Sequence, residues 1–257
     1  MKNILIIGAN GFTGRRILND LSVNPIYHVT GCSLRDDICP GKDYRFVRTD
    51  IRDENEVRKL FKECRPDIVI NTSALSVPDY CETHHAEAEA TNVTAVETIA
   101  HVCEQYGSRF IHLSTDFVFD GKSIRLYKEE DEAIPVNYYG VTKLKAEKII
   151  ASICSNYAIV RVVVVYGKAL PGQHGNILQL VANRLRNGET IRVVSDQWRT
   201  PTFVGDISVG VEKLMFHTAN GIYHICGSEC LTIAEIAYRV ADFLKLDRSL
   251  IEPVTEK

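Results

Sequence analysis

Tyr139 and Lys143 stand four residues apart in NYYGVTKLKAEKII, residues 137–150. In a helix that spacing puts both side chains on one face, a turn from each other. A free phenol has a pKa of about 10, too high to exchange protons readily at neutral pH. A neighbouring ammonium favours the phenolate and lowers that value. A lysine so placed can also hold a ribose hydroxyl. Tyr138 has Thr142 one turn on and gains no such charge, and Lys145 points elsewhere. Alone, Y-x-x-x-K is frequent by chance and fits a solvated helix face. Upstream, however, FIHLSTDFVFDG carries Ser114, Thr115 and Asp116 where a strand should end. A hydroxyl there could polarise a carbonyl oxygen while Tyr139 supplies the proton. Strand-end turn chemistry is the plainer role for Ser114 and Thr115.

A second group of residues suggests a hydride donor. Gly8, Gly11 and Gly14 form GxxGxxG in GANGFTG, with Asn10 and Phe12 between them. The motif follows an apolar strand and opens a helix. That context suits a tight turn at Gly8, close approach of a pyrophosphate at Gly11 and tight helix–strand packing at Gly14. NAD sites tend to carry an acid at the end of the second strand. In GCSLRDD, Ser33 and Arg35 come before any acid, and Arg15 and Arg16 follow the glycine loop. Arginine can pair with a 2′-phosphate, which favours NADPH, with NADH the alternative; a solvated charge cluster would look the same. Asp50, followed by Ile51, could accept from an adenine amine, or cap the next helix, for which Asp53 is equally placed. Thr72, Ser73 and Ala74 end the fourth strand with small residues, which suits backbone running past a cofactor.

The elements that must position these groups are legible in the apolar pattern. Strands are expected at NILIIG, YHVTGCS, YRFVRTD, PDIVINTS, RFIHLST and YAIVRVVVVYG. Between them lie helices over 12–22, ENEVRKLFKEC, 84–106 and 138–154. In ENEVRKLFKEC, Val57, Leu60, Phe61 and Cys64 share one face. Short apolar strands alternating with helices predict an α/β fold, a doubly wound parallel sheet of Rossmann type covered on both faces. After residue 166 the rhythm changes to helices at NILQLVANRLRNG, VGDISVGVEKLMFH and TIAEIAYRVADFL, with strands at TIRVV and GIYHIC. The expected division is a dinucleotide-binding domain over 1–166, with 203–226 returning to it. A smaller substrate-binding lobe is expected from 167–202 and 227–257.

The chain has 257 residues, 45% hydrophobic and 25% charged, with a net charge of −3, so no basic excess marks it for nucleic acid or an acidic membrane. The apolar run at the N-terminus breaks at Gly8, too early for a secretory h-region, and no run is long enough to span a bilayer. The eight cysteines are spread along the chain without a CxxC pair, which reads as reduced thiols and a cytoplasmic protein without a zinc site.

Taken as a set, GANGFTG, PDYCE, HLSTDFVFDG, YGVTKLKAE, RVVVVYG and SDQWRTPT resemble an extended short-chain dehydrogenase/reductase, and within it the dTDP-4-dehydrorhamnose reductases. The likeness covers nearly the whole chain. It implies that Thr115, Tyr139 and Lys143 form a catalytic trio. In it Tyr139 would protonate O4 of a nucleotide-linked 4-keto-6-deoxy sugar while a nicotinamide delivers hydride to C4. It places Asn92 near the site and Arg161 at a recurrent position of the sixth strand. Asp116, Phe117, Val118, Phe119, Val164, Asp196, Gln197 and Arg199 would contact the sugar nucleotide. It also implies a homodimer, with no carboxylate cluster here that compels a metal. Phe117 stands for the usual tyrosine, Val164 for a common tryptophan, and Arg199 for glycine in D-Q-x-G-x-P-T. The chain stops at IEPVTEK, where relatives usually continue, so the lobe is either trimmed or lacks a part. Two other classes share the motifs: regulatory subunits resembling the β-subunits of methionine adenosyltransferases, and sugar epimerases or dehydratases. Dehydratases tend to place Asp-Glu after the threonine, and here Phe117 follows Asp116.

Overall fold

The computed structural model describes residues 1–41, 43–173 and 175–255. In chain order the first half runs β1 (Lys2–Ile7), α1 (Phe12–Ser22), β2 (Tyr27–Ser33), β3 (Arg45–Arg48), α2 (Glu54–Cys64), β4 (Ile68–Asn71), α3 (Pro78–Thr83), α4 (His85–Glu89), α5 (Ala95–Tyr106), β5 (Arg109–Thr115) and α6 (Tyr138–Ile153). The second half runs β6 (Tyr157–Val162), β7 (Val165–Tyr166), α7 (Ile177–Arg186), β8 (Ile191–Val194), β9 (Trp198–Arg199), β10 (Thr202–Phe203), α8 (Val204–Met215), β11 (Gly221–Ile225), β12 (Leu231–Thr232), α9 (Ile233–Leu244) and β13 (Ile251–Val254).

The seven-stranded sheet has the order β3-β2-β1-β4-β5-β6-β11, and its pairs are parallel. This is the doubly wound arrangement that the alternation of strands and helices predicts. Successive residues of a strand face opposite sides of a sheet. Ile4 and Ile6 of β1 therefore join α1 and α8 in one buried cluster, whereas Leu5 and Ile7 join α2, α5 and α6 in another. Both faces being covered, the central strands are rich in apolar residues, and β4 and β5 are wholly buried. A third cluster joins α7, α9, β8 and β13, built on Val181, Leu185, Ala237 and Ile251.

Three features depart from the pattern expected from sequence. The long helix over 84–106 is broken: α4 runs into a π-helical turn, Ala90–Thr94, before α5 begins. The run YAIVRVVVVYG is divided into β6 and β7 at Val164, whose φ is +38°. A β-branched residue rarely adopts that conformation, so the chain is strained where it leaves the sheet. The chain also continues past α9 into β13, which pairs with β8. Four residues that include Pro253 give no alternation for sequence to read.

Candidate active site

The sheet order reverses between β1 and β4, the topological point outside whose carboxyl strand ends open α/β sheets bind their ligands. The glycine loop lies on one side of it. Gly8 has φ +82°, and a Cβ there would lie 2.7 Å from the Ser73 amide nitrogen. A Cβ on Gly14 would collide with the Gly8 carbonyl and the Thr72 hydroxyl. Gly11 caps α1 with no side chain bonded to the helix N-terminus. The cradle therefore has glycine where backbone approach demands it and a helix end whose dipole suits phosphate. These residues fit a dinucleotide. Thr72 Oγ1 donates to the Ile7 carbonyl at 2.9 Å and so ties β4 to the loop. Ser73 donates to Asn71 through both its amide and its hydroxyl. Ala74 is half-buried beside them.

The second strand's end differs from expectation. Arg15 is not available to a ligand: its side chain is buried, pairs with Asp37, and donates to Tyr44 Oη at 2.8 Å and Asn10 Oδ1 at 2.9 Å. Burial works to raise the Asp37 carboxyl, but hydrogen bonds from Cys39, Tyr44 and Arg15 outweigh it and hold it below the usual range. Asn10 spends its side chain on the same loop, donating to the Asp36 carbonyl at 2.8 Å. Arg16 pairs with Asp20 at 2.7 Å. Arg35 is exposed and makes no ion pair among the described residues, and half-buried Ser33 ends β2 close by in sequence. The two candidate helix caps also separate. Asp53 caps α2, accepting from the Asn55 and Glu56 amides, while Asp50 is held by Arg52 at 2.6 Å with Ile51 packed toward the core.

Opposite the glycine loop, strand alternation separates the two hydroxyls. Ser114 turns to α6 and donates to Glu147, whose carboxylate also binds Arg161 at 2.6 Å and 3.0 Å; all three residues are buried. Ser114 and Arg161 are therefore parts of a buried ionic network. Thr115 instead lies on the Tyr139 side: burial and then the Asp116 carboxylate push the Tyr139 phenol up, with the Thr115 hydroxyl pulling the other way. The net effect is a phenol well above its ordinary value. The expectation that Lys143 lowers it is not met in this state. Lys143 Nζ lies 2.7 Å from the Leu113 carbonyl and 2.8 Å from His112 Nε2. Burial depresses the Lys143 amine to about 8. Tyr138 and Lys145 face away toward Glu89, Tyr138 stacking on His85 at 3.7 Å.

The residues that depart from the expected sugar contacts are partly one assembly. Arg199 pairs with Asp116 at 3.1 Å and lies 5.2 Å over the Phe117 ring, which packs edge-on against Tyr139 at 5.9 Å. Burial raises the Asp116 carboxyl, with Arg199 and Thr115 pulling the other way. Arg199 also reaches Gln197 at 3.4 Å, in a turn whose Asp196 is exposed. Val118 and Phe119 are packed into protein, Phe119 against Tyr127 at 4.1 Å and beneath Arg161 at 5.0 Å. Their side chains serve the fold of the 116–127 loop. Val164 is half-buried at the strained step into β7.

A family model described as the RmlD substrate binding domain matches residues 1–257. The chain belongs to this family. It is 31% identical over 250 residues to a probable low-salt glycan biosynthesis reductase, Agl14, of Haloferax volcanii, covering 96% of this chain and 82% of that protein. It is equally 31% identical over 261 residues to the β subunit of methionine adenosyltransferase 2 of Xenopus laevis, covering 100% of this chain and 76% of that protein. Its fold is similar to a crystal structure of dTDP-4-dehydrorhamnose reductase from Bacillus anthracis in complex with NADP. The TM-score there is 0.86 at 26% identity, over 99% of this chain and 85% of that one.

Within this RmlD-family chain the structure adds residues that pattern reading passed over. Asn71 and His112 are polar side chains at 0% exposure inside apolar strands, and both lie in the chain of contacts that ends at Lys143. A polar residue in an otherwise apolar strand was the available signal. Gln173, from the loop after β7, donates to the Asn10 and Gly11 carbonyls at 3.0 Å and 3.1 Å and straps the glycine loop. Asn92, in the π-helical turn, accepts from the Leu75 amide at 2.8 Å and donates to the Leu75 carbonyl and Thr142 Oγ1, each at 3.0 Å. The turn aims this amide at the backbone that follows β4, as such bulges often do at functional sites. Asn92→Leu should therefore destabilise the fold by about 1–3 kcal/mol through stranded polar groups at Leu75. Chemical denaturation checks this; an unchanged midpoint and slope would mean that water satisfies them.

Proposed function

We propose that this protein is a nicotinamide-dependent reductase of a nucleotide-linked keto sugar, with dTDP-4-dehydrorhamnose and its reduction to dTDP-L-rhamnose the leading reaction. The observation that supports it is the convergence of Tyr139, near Thr115, with buried Lys143 one turn on, in a sheet whose first strand leads into the glycine cradle. A bound nicotinamide supplies hydride to the carbonyl carbon. Tyr139 donates its proton to the developing alkoxide, and its high pKa keeps it protonated, the form that a reduction uses. Thr115 orients the phenol and the ketone oxygen. Lys143 holds ribose hydroxyls. Arg199 and the segment over 195–202 bound the sugar-nucleotide end of the lobe formed by 167–202 and 227–257. NADPH is the preferred cofactor: Arg35 and Ser33 remain to meet a 2′-phosphate although Arg15 is engaged by Asp37.

The test is to mix the protein with NADPH and dTDP-4-keto-6-deoxy-L-mannose and follow nicotinamide absorbance. Oxidation of NADPH in proportion to added sugar is the expected result. No oxidation with this sugar or with a panel of nucleotide keto sugars would favour the second reading, a cofactor-binding regulatory subunit. That reading draws on the likeness to the Xenopus β subunit and on the Asp116–Arg199–Phe117 assembly packed against Tyr139.

A further inference from the structure

His112 is buried on β5 and takes no part in the chemistry above, yet its bonding partners determine its tautomer. Ser73 contributes an amide N–H at 3.0 Å and a hydroxyl at 2.6 Å to the same Asn71 atom. An amide N–H only donates, so that atom is the oxygen Oδ1, and Asn71 Nδ2 is the atom that faces His112 Nδ1 at 3.2 Å. Nδ2 only donates, so Nδ1 is the accepting nitrogen. A neutral imidazole then carries its proton on Nε2. Burial holds the ring neutral, well below its ordinary value. Nε2–H points at Lys143 Nζ, 2.8 Å away. An ammonium has no lone pair and could not accept that hydrogen bond, whereas a neutral amine can accept it and still donate to the Leu113 carbonyl.

We propose that His112 is a positioning residue that holds Lys143 as a neutral amine through the one-way chain Ser73→Asn71→His112→Lys143, so that binding of a nicotinamide cofactor is coupled to uptake of one proton by Lys143. The proposal rests on the reading of this sheet edge as a nicotinamide site and not on the identity of the ketone. Burial, opposed by the Glu147 carboxylate, brings the amine to about 8, and accepting a hydrogen bond from His112 favours the neutral form further. The other groups around Lys143 do not supply the proton. Glu147, on the same helix, is bound to Arg161; Asp116 is bound to Arg199; Tyr139 is a phenol held protonated. The proton comes from solvent, an N–H bond forms on Nζ, and the contact with His112 Nε2–H breaks. New contacts from the ammonium to the ribose hydroxyls offset that loss. Between the free and bound pKa values of Lys143, cofactor affinity then falls by about tenfold per pH unit as pH rises.

Two measurements test this. Long-range proton–nitrogen NMR of the histidine rings in the free protein reports the tautomer without any cofactor. His112 is expected as Nε2–H, and Asn71→Asp, whose carboxylate can only accept, should invert it to Nδ1–H. Finding Nδ1–H or imidazolium in the wild-type protein overturns the proposal. Calorimetric titration with NADPH in buffers of different ionisation enthalpy counts protons, at about pH 7.5, where a phosphate monoester with its second pKa of about 6 is almost fully ionised. About one proton should be taken up per cofactor bound by the wild-type protein. Much less should be taken up by His112→Phe and Asn71→Asp, because an amine depressed only to about 8 is already mostly protonated at that pH. A merely structural role for His112 would weaken affinity but leave the proton count unchanged, and that result overturns the coupling. Failure of NADPH to bind at all would instead count against the site reading, with the tautomer measurement still deciding the hydrogen-bond chain.

Discussion

Tyr139→Phe is expected to lower keto-sugar turnover by roughly 10²–10⁴-fold, the contribution of a positioned general acid. That corresponds to about 3–5 kcal/mol of transition-state stabilisation. The substitution removes a single oxygen from a side chain that is 8% exposed and already packed against Phe117 and Cys81. The ring and its packing remain, so the melting temperature should change little and NADPH affinity should stay nearly the same. The two measurements are steady-state turnover and cofactor titration. A variant that reduces substrate at the wild-type rate shows that the proton comes from elsewhere, and Asp116 would be the first residue to examine. A variant that loses cofactor affinity as well shows that the hydroxyl helps to build the nicotinamide site.

The second large effect concerns stability. Glu147 and Arg161 are each 3% exposed at the side chain, joined by two hydrogen bonds, with Ser114 donating to the same carboxylate. Removing one member of a buried pair leaves the other charge desolvated and uncompensated, at a cost of about 3–5 kcal/mol. Glu147→Ala should therefore lower the melting temperature by roughly 10 °C for a chain of this size. Replacing both partners with apolar residues of similar volume, Glu147→Leu with Arg161→Met, should recover much of the loss. The double variant abolishes the uncompensated charge and keeps the packing beneath Phe119. Calorimetry on the two variants separates the outcomes. A single variant that melts close to the wild type would mean that water enters and solvates the arginine. The network also ties the end of β5 to α6, the two elements that carry Thr115 and Tyr139. Part of any activity loss in Glu147→Ala would follow from that loosening.

The unusual residues at the expected sugar site have a shared physical basis that their separate positions in the chain conceal. Asp116 and Phe117 follow directly on Thr115, whereas Arg199 comes from β9, 83 residues from its partner Asp116. In the folded protein the guanidinium pairs with one and lies over the other. An aromatic ring without a hydroxyl presents a clean face to a cation. Phe117 and Arg199 thus fit each other, which neither departure shows alone.

By itself, the sequence determined what local chemistry controls. Runs such as ILII and IVIN specify strands buried on both faces, the amphipathic spacing of α2 specifies a helix with one apolar side, and glycines at 8 and 14 specify a turn that other residues could not adopt without collision. The four-residue spacing of Tyr139 and Lys143 needed only the pitch of a helix. Only the tertiary structure decided where side chains far apart in the chain would meet. It assigned Thr115 to Tyr139 and Ser114 to Glu147, because a strand's alternation can be read from sequence but the side on which α6 packs cannot. It closed Arg15 onto Asp37 and turned Lys143 toward His112, 31 residues away, rather than toward the phenol. Hydrogen bonds between distant elements leave no periodicity in the chain, and burial, which sets the charge state of Lys143, exists only once the sheet and helices have packed.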